Sequence, residues 1–570
     1  MRKYLLYLGT LLMLITSCKQ DVNTANVEFG KDLNVSWELI TNFSDEGDGI
    51  FEAHFLLENK GTTEIKAGDW KLFFSMAPRK ILSEKTTGNA IFKHRNGDLF
   101  YVEPLEGFSI PAGETLEVKY YGNGPVIKVS DAPIGIYIAG GENELNTVAI
   151  NNYTILPFTR PEQINRFGDD KEPIPDAGYY FAQNKGTEFI STEKLAPFTP
   201  VPNTYSYGEV INIETGFNIT EGGVLSNEIG FLKEELAKMS ISVVGGIPVE
   251  IAVKEGLKEE GYELNISSDM VIINGGDPTG VFYGVQSFIA YLSNCKNANI
   301  PVRALQVEDA PAFGYRGMHL DVARNFQTKE TVLKFIDFMS AYKMNTIEIY
   351  LSEDEGWRIE IAALPELTQV GSQRGHSADE SEFIQPAYGS GAEPGKLYGS
   401  GFYTRADYVE ILRYATKRHV KVIPTINVPG HSRAAIKAMQ NRYERLMAEG
   451  DEEGALEYYL HDPNDKSVYS GAQSFNDNIL CVCKESTVKF FVTVLDEIID
   501  MYKEAEAPLE MFHSGGDEVP AGSWEKSPLC EELMKTTPEI KNARNWQAYY
   551  FKKIVKEIKD RGLLVGGWEE

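Results

Sequence analysis

The sequence predicts a multidomain protein with an N-terminal β-sandwich, a small α/β accessory domain, and a (β/α)8-type TIM barrel represented by about its first five strands. Three observations predict this organisation. Residues 27–155 form short segments rich in β-branched and aromatic residues, separated by glycine-containing turns. Residues 204–308 mix strand and helix periods, and residues 311–570 repeat a strand followed by a helix. A length of 570 residues agrees with three or four domains.

The first two domains are predicted from short local patterns. Alternation and turn signals predict sandwich strands near 34–39, 50–57, 70–76, 116–121 and 126–129. The Pro-rich, charged stretch at 156–203 has little periodicity, which predicts an extended linker packed over the surface. In the accessory domain, apolar residues at helical or alternating spacing predict helices at 228–239 and 280–292 and strands at 249–253, 262–266 and 270–273.

The third region repeats one unit. Thr404 followed by Asp407 has the spacing of a capping box, which indicates that a helix begins there. Helices are also expected at 329–342, 486–502 and 548–559. Strands are expected at 315–322, 346–351, 420–427, 510–513 and 563–568. Because a parallel strand–helix repeat of this length is typical of a barrel, we expect a functional site at the carboxyl ends of these strands.

The composition indicates acidic, well-packed domains. Apolar residues make up 42% of the chain, which is ample for hydrophobic cores, and the formal net charge is −28. Since phosphate binding relies on clustered Lys and Arg, we expect no nucleic-acid partner. The sequence implies no metal and no organic cofactor, and it leaves the oligomeric state open.

The first 18 residues resemble the signal peptide of a bacterial lipoprotein. Arg2 and Lys3 precede an apolar run, residues 4–15, that is too short to span a bilayer as a mature helix. The run leads to Cys18 in a context resembling the lipobox, whose cysteine becomes the lipidated N-terminus. This resemblance implies export and a lipid anchor at the outer membrane or in the periplasm. The alternative is an ordinary signal with an incidental cysteine.

The other four cysteines, Cys295, Cys481, Cys483 and Cys530, do not have the spacing of a zinc site. Cys481 and Cys483 lie in the apolar run 479–483 and would share a face if that run were a strand. We expect them to be small buried apolar residues. An exported protein can contain a disulfide, but the spacing does not demand one.

The strongest chemical signal is His513-Ser514-Gly515-Gly516-Asp517-Glu518, which follows an apolar strand. Adjacent carboxylates on a regular strand would point to opposite faces. Two glycines just before them let the backbone leave strand geometry, so that both can face one pocket. Two acids in one partly dry pocket are the usual basis of an acid/base pair.

This segment resembles the HxGGDE motif of family 20 glycoside hydrolases, the β-N-acetylhexosaminidases. The resemblance implies that Glu518 is the general acid/base and that Asp517 orients the 2-acetamido group, whose oxygen attacks the anomeric carbon in a substrate-assisted exception to the two-carboxylate scheme. Gly-Gly-Asp-Glu also occurs in cytoplasmic diguanylate cyclases. His513, which we assign to substrate binding, Val519 and the strand–helix context favour the glycosidase.

The remaining barrel motifs imply further site residues. Residues 315–326 resemble the first barrel strand of the family, whose leading Arg grips sugar hydroxyls; Arg316 takes that role here, and Arg324 is expected in a structural ion pair with Asp321. Residues 566–570 resemble the strand that carries an aromatic wall around the acetamido methyl, which makes Trp568 a substrate-binding candidate. The alternative for Trp568 is an ordinary core residue.

His431, in a Pro-Gly-His segment, corresponds to the family's histidine that contacts the catalytic Glu, and Glu353 would be the acid that orients it. Glu353 replaces an Asp of the family and is one methylene longer. Four further positions also depart from the family pattern: Glu348, Tyr350, Thr425 and Asn427. These departures slightly favour an alternative function, a surface glycan-binding lipoprotein with a degenerate or inactive barrel.

The resemblance extends to the first two domains. Residues 204–308 resemble the accessory α/β domain that precedes the family 20 barrel, and the sandwich resembles a carbohydrate-binding-like domain that serves either as a spacer or as a sugar binder. The family's later barrel strands have no counterpart before residue 570. We therefore expect a C-terminally truncated form, weakly active or inactive, of an exo-β-N-acetylhexosaminidase that hydrolyses glycans with terminal β-linked GlcNAc or GalNAc.

Overall fold

A computed structural model describes residues 27–569 apart from residues 78, 172, 174, 175, 192, 193, 221, 222 and 397. The expected signal peptide and Cys18 lie outside these residues. Three folded domains follow one another along the described chain, in the order that the sequence predicts. Among the described helices, none combines the length and the apolar character that crossing a membrane requires.

The first domain is a β-sandwich. One sheet has the strand order β11-β1-β2-β8, the other has the order β10-β9-β4-β6-β5, and β3 pairs with β7 in a short ribbon. Alternate residues of β1 are buried, as expected for a strand with one face on a core. The strands are β1 (Leu33–Thr41), β2 (Ile50–Asn59), β3 (Ile65–Lys66), β4 (Trp70–Ser75), β5 (Ala90–Asn96), β6 (Leu99–Pro104), β7 (Ser109–Ile110), β8 (Thr115–Asn123), β9 (Ile134–Gly140), β10 (Asn146–Ala149) and β11 (Tyr153–Ile155).

The connection to the second domain differs from the extended linker that the sequence predicts. It contains two short helices, α1 (Pro161–Ile164) and α2 (Ala177–Asn184). Asp176 caps α2 by accepting a hydrogen bond from the Tyr179 N–H. None of the residues of α2 is buried. A helix that buries no apolar face leaves no periodic signal in the sequence, which explains why the prediction missed it.

The accessory domain is a six-stranded mixed sheet covered by helices. Its strand order is β12-β17-β15-β16-β14-β13. The long helix α4 begins after Asp277, whose carboxylate accepts a hydrogen bond from the Gly280 N–H at 2.8 Å. The elements are β12 (Thr204–Val210), β13 (Phe217–Ile219), α3 (Ser226–Lys238), β14 (Ile247–Val253), β15 (Tyr262–Ile266), β16 (Val271–Gly275), α4 (Pro278–Asn297) and β17 (Arg303–Asp309).

The described part of the third domain contains five parallel strands in the order β18-β19-β21-β22-β23. Thr404 and Asp407 form the capping box that the sequence predicts. The elements are β18 (Gly317–Asp321), α5 (Lys329–Ala341), β19 (Thr346–Glu353), β20 (Gly356–Trp357), α6 (Glu366–Gln369), α7 (Arg405–Lys417), β21 (Lys421–Ile426), α8 (Arg433–Glu449), α9 (Glu452–Glu457), α10 (Glu485–Ala505), β22 (Met511–His513), α11 (Pro528–Thr536), α12 (Ala543–Asp560) and β23 (Leu564–Gly566).

The cysteines differ from the sequence prediction in one respect. Cys483, in the loop before α10, forms a disulfide with Cys530 of α11. The segment 479–483 is loop rather than strand, and Cys481 and Cys295 are buried thiols, as expected. A separation of 47 residues gives no sequence signal for this pairing. The bond ties α11, which follows the catalytic motif, to the start of α10.

We expect Cys530→Ala to lower the free energy of unfolding by up to about 4 kcal/mol, because the bond closes a long loop in the unfolded chain. Cys481→Ala is the matched control, since it removes a buried thiol but no covalent bond. Chemical unfolding with and without a reducing agent measures the difference. If reduction of the unaltered protein left its unfolding curve unchanged, the disulfide would have no stabilising role.

Candidate active site

The carboxyl ends of β19, β21, β22 and β23 meet at one edge of the sheet, and there the chain turns sharply after His513. Gly515 has φ +69° and Gly516 has φ +104°, values that favour glycine. A Cβ on Gly515 would lie 1.8 Å from Asn427 Oδ1, so no larger residue fits. The turn brings Asp517 and Glu518 to the same side, as the sequence predicts.

His431 lies between two groups of acids. Its Nε2 atom is 3.2 Å from Glu518 Oε2 and 3.9 Å from Asp517 Oδ2. Its Nδ1 atom is 2.9 Å from Glu353 Oε2 and 3.4 Å from Asp354 Oδ2. The structure therefore brings together the four residues expected to act in catalysis, and adds Asp354, which the sequence analysis left out.

The electrostatic surroundings favour a protonated His431. Burial raises the pKa of Glu353 and opposes charge on the ring, but the carboxylates of Glu353 and Asp354 outweigh burial at the ring and raise the pKa of His431 to about 12. Burial also raises the pKa of the neighbouring Glu355 carboxyl to about 8. A doubly protonated ring carries a proton on each nitrogen, so its contacts with Glu353 and with Glu518 are both attractive. The ring thus fixes the position of the Glu518 carboxylate.

Arg324 contacts the same buried acids. Its guanidinium lies 2.9 Å from Glu353 Oε1, 3.0 Å from Asp321 and 3.6 Å from Glu355. The expected ion pair with Asp321 is present, but Arg324 also extends to the acids beside His431. The sequence predicts only the pair with Asp321, because Glu353 and Glu355 lie far along the chain from Arg324.

Arg316, the predicted sugar-binding arginine, lies elsewhere. It precedes β18 and is therefore at the amino end of the sheet, opposite the catalytic motif. Its guanidinium donates to the Lys343 carbonyl at 2.7 Å and to the Tyr283 hydroxyl at 2.8 Å, and it pairs with Glu260 at 2.8 Å. Arg316 joins the barrel to the accessory domain, so its assignment to the sugar site is corrected.

The residues that depart from the family pattern contact one another. The Asn427 side-chain amide donates to Asp517 Oδ1 at 2.8 Å and to the Tyr350 hydroxyl, and its oxygen accepts from the Gly516 N–H at 2.9 Å. The Thr425 hydroxyl donates to Glu348 at 2.7 Å. Burial raises the cost of charge on Glu348, but hydrogen bonds from His319 and Thr425 outweigh it and lower the pKa of Glu348. These departures form two complementary pairs and keep Asp517 in place.

Trp568 stands at the rim of the site, directly beside the motif. It is 40% exposed, and its backbone N–H donates to the Gly515 carbonyl at 3.0 Å. Its ring centroid lies 4.6 Å from that of His513 and 5.7 Å from that of His319. The exposed ring differs from a core Trp. His513 is buried beneath it, with Nδ1 3.8 Å from Glu348, so it supports the wall rather than facing the pocket.

Two further features complete the site. The Gln473 side-chain amide donates to Glu518 Oε2 at 3.1 Å, a contact for which the sequence carries no signal. A cavity of about 620 Å³ adjoins the motif and is lined by residues that include Gly516, Val519, Phe551 and Trp568. Most of its lining comes from the turn, β23 and α12 and does not include Asp517 or Glu518, so the cavity lies on the α12 side of the motif.

Two clusters of the described residues have the atom types of metal ligands. Ligand atoms of Glu353, Asp354 and His431 lie within 4.8 Å of one another. The second cluster comprises Cys481, Cys483 and Cys530, of which two are consumed by the disulfide.

Comparison with known proteins gives one consistent family. The profile for glycosyl hydrolase family 20, catalytic domain, matches residues 313–570, and the profile for domain 2 of the same family matches residues 197–310. A third profile, named for a carbohydrate-binding domain, matches residues 32–177.

Individual relatives agree with the profiles. A β-hexosaminidase of Vibrio vulnificus is 34% identical, with 96% of this chain and 67% of the relative covered. An N,N'-diacetylchitobiase of Vibrio harveyi is 33% identical, with 93% of this chain and 65% of the relative covered. The solved exo-β-N-acetylglucosaminidase of Vibrio harveyi, in complex with N-acetylglucosamine, has the same fold, with a TM-score of 0.73 and 24% identity. The superposed region covers 94% of this chain and 76% of the solved chain. The chain spans about two thirds of the length of the two sequence relatives.

The two acids behind His431 give a test of its charge. We expect Glu353→Gln to lower kcat/KM by at least about 10-fold, because the loss of one carboxylate weakens the protonated state that holds Glu518. Glu353→Asp keeps the charge and should lose less. Steady-state kinetics on an aryl N-acetylglucosaminide compare the two variants. Equal losses in both would show that side-chain length, and not charge, determines the effect.

Proposed function

The chain belongs to glycoside hydrolase family 20, and from this membership we propose that it is an exo-β-N-acetylhexosaminidase that removes terminal β-linked GlcNAc or GalNAc from glycans. The observation that carries the proposal is the contact of the buried His431 ring with Glu518, at 3.2 Å, beside Asp517. An acid/base, a second carboxylate and an orienting ring are the groups that substrate-assisted hydrolysis requires.

In the first step, Glu518 protonates the glycosidic oxygen while the bond from that oxygen to the anomeric carbon breaks. The carbonyl oxygen of the substrate's 2-acetamido group forms the new bond to the anomeric carbon. Asp517 accepts a hydrogen bond from the acetamido N–H and offsets the positive charge of the cyclic intermediate. The hydrogen bond that Asn427 donates to Asp517, at 2.8 Å, supports this orientation.

In the second step, the Glu518 carboxylate removes a proton from water, and the water oxygen attacks the anomeric carbon. The bond to the acetamido oxygen breaks, and the acetamido group is restored. Two successive inversions give retention of the β-configuration. His431 keeps Glu518 in position during both steps, since its own proton is held by the acids behind it.

For substrate binding, we propose Arg324 in place of Arg316 as the arginine that binds sugar hydroxyls. Arg324 borders the acids at the carboxyl end of the sheet and is partly exposed. Trp568 is proposed as the aromatic wall for the acetamido methyl group, because an exposed ring beside the motif can cover an apolar group. The similarity to the N,N'-diacetylchitobiase and the exo-β-N-acetylglucosaminidase of Vibrio harveyi supports an N-acetylglucosamine-containing substrate.

The proposal predicts a specific loss. Glu518→Gln should lower kcat on 4-nitrophenyl β-N-acetylglucosaminide by about 10²- to 10⁴-fold, because the acid/base is lost while substrate binding remains. Asp517→Asn should also lower kcat, because it removes the charge that offsets the intermediate. The matched 4-nitrophenyl β-glucoside, which lacks the acetamido group, should not be hydrolysed, and NMR should show the β-anomer as the first product.

Sugar binding without hydrolysis, in the unaltered protein, would refute the enzyme and support the alternative of a glycan-binding lipoprotein. The substitutions at Glu348, Tyr350, Thr425 and Asn427 are the observation that favours this alternative. An enzyme that hydrolysed the β-glucoside as readily would instead refute the substrate-assisted mechanism.

We also propose export and lipid anchoring through Cys18, in a context that resembles a lipobox. Cys18→Ala should abolish incorporation of a radiolabelled fatty acid and should release the protein from the membrane fraction. Fatty-acid incorporation that persisted in this variant would contradict the assignment of Cys18.

A further inference from the structure

We propose that the turn at residues 96–98 of the sandwich is a positioning element of the catalytic site, acting through Gln473 on Glu518. This inference rests on the proposed function, because it concerns how Glu518 is held for proton transfer. It assigns the N-terminal domain a role that is neither spacing nor sugar binding. Contacts connect the turn to residues 471–478, the loop that carries Gln473 and is here called the Gln473 loop.

The turn between β5 and β6 is hydrogen-bonded directly to the Gln473 loop. The Asn96 side chain donates to Asp477 at 2.7 Å and accepts from the Asn476 N–H at 3.2 Å. The Gly97 N–H donates to the Ser474 carbonyl at 3.3 Å. Three contacts across two domains therefore fix the loop against the sandwich.

Packing at this contact leaves no space for a side chain. Gly97 has φ +60°, and a Cβ there would lie 2.3 Å from the ring of Phe475. Phe475 is itself buried, with the Arg433 guanidinium 5.4 Å from its ring centroid. The glycine is thus required both by the backbone conformation and by the close approach of the loop.

The far end of the Gln473 loop is anchored to the acids behind His431. Asp477 pairs with Arg433 at 2.8 Å and with Lys437 at 3.0 Å. The Asn478 side chain donates to Asp354 at 2.8 Å. Because Asp354 also lies 3.4 Å from His431, the loop is connected to His431 as well as carrying Gln473, and both side chains contact Glu518.

Gln473 completes the connection at Glu518. Its Nε2 atom donates to Glu518 Oε2 at 3.1 Å, and the same oxygen lies 3.2 Å from His431 Nε2. Because the Gln473 amide donates to Oε2, Oε1 is the atom left to carry the transferable proton. Gln473 Oε1 is buried and has no hydrogen-bond partner among the described residues.

The test compares two substrates in the same preparation of the 570-residue protein. Methyl β-N-acetylglucosaminide needs protonation of its leaving oxygen, whereas the 2,4-dinitrophenyl glycoside has a leaving group that departs without a proton. The ratio of the two kcat/KM values is independent of the folded fraction. A change in this ratio therefore reports misplacement of Glu518, whereas loss of folded protein lowers both values equally.

We expect Gln473→Ala to lower kcat/KM on the methyl glycoside at least about 10-fold more than on the dinitrophenyl glycoside. Asn96→Ala should change the ratio in the same direction by a smaller factor, because backbone contacts of the turn remain. The double variant should match Gln473→Ala within about 2-fold, since both changes act through one contact.

Tyr137→Phe is the matched control. It removes the hydrogen bond from the sandwich to His376 at 2.9 Å, an interdomain contact that does not involve the Gln473 loop, and it should leave the ratio unchanged. Equal losses on both substrates in Gln473→Ala, or independent effects in the double variant, would overturn the inference alone. An unaltered protein inactive on both substrates would overturn the proposed function and this inference together.

Discussion

The His431 ring lies between two groups of carboxylates that would repel each other without a positive charge between them. On one side it contacts Glu353 and Asp354, which are almost completely buried, and on the other it contacts Glu518. Buried carboxylates are costly without a cation, and a lone buried imidazolium is equally costly. The carboxylates and the imidazolium therefore each lower the free-energy cost of burying the other's charge. Arg324 adds a second positive charge beside Glu353, at 2.9 Å.

The geometry of the catalytic turn follows from the same constraint. For Glu518 to meet His431, the chain must leave strand geometry directly after β22, and the two glycines at 515 and 516 permit this. Asn427 then supports the turn through the Gly516 N–H and supports Asp517 through its amide. Since Asn427 also contacts Tyr350, its replacement of the usual residue is compensated within the site.

Local patterns in the sequence predicted most of the elements, and the catalytic motif could be predicted as well. Capping at Thr404 and the alternation of apolar residues depend on neighbours within a few positions, so the sequence records them directly. The exposed helix α2 and the disulfide of Cys483 with Cys530 carry no such local signal. Arg316 was misassigned because a motif gives the residue type but not the end of the strand at which it lies. Arg324, Asp354 and Gln473 reach the site through contacts between elements far apart in sequence, which only the fold reveals.

The protonation of His431 tests this account most directly. The chain has eight histidines, so selective ¹⁵N-histidine labelling with His431→Gln for assignment can identify its ring signals. The account predicts that both ring nitrogens carry protons at pH 8, because the pKa of His431 is raised to about 12 by the acids behind it. A neutral ring that titrates near the ordinary histidine pKa of about 6.5 would contradict the central role of the imidazolium.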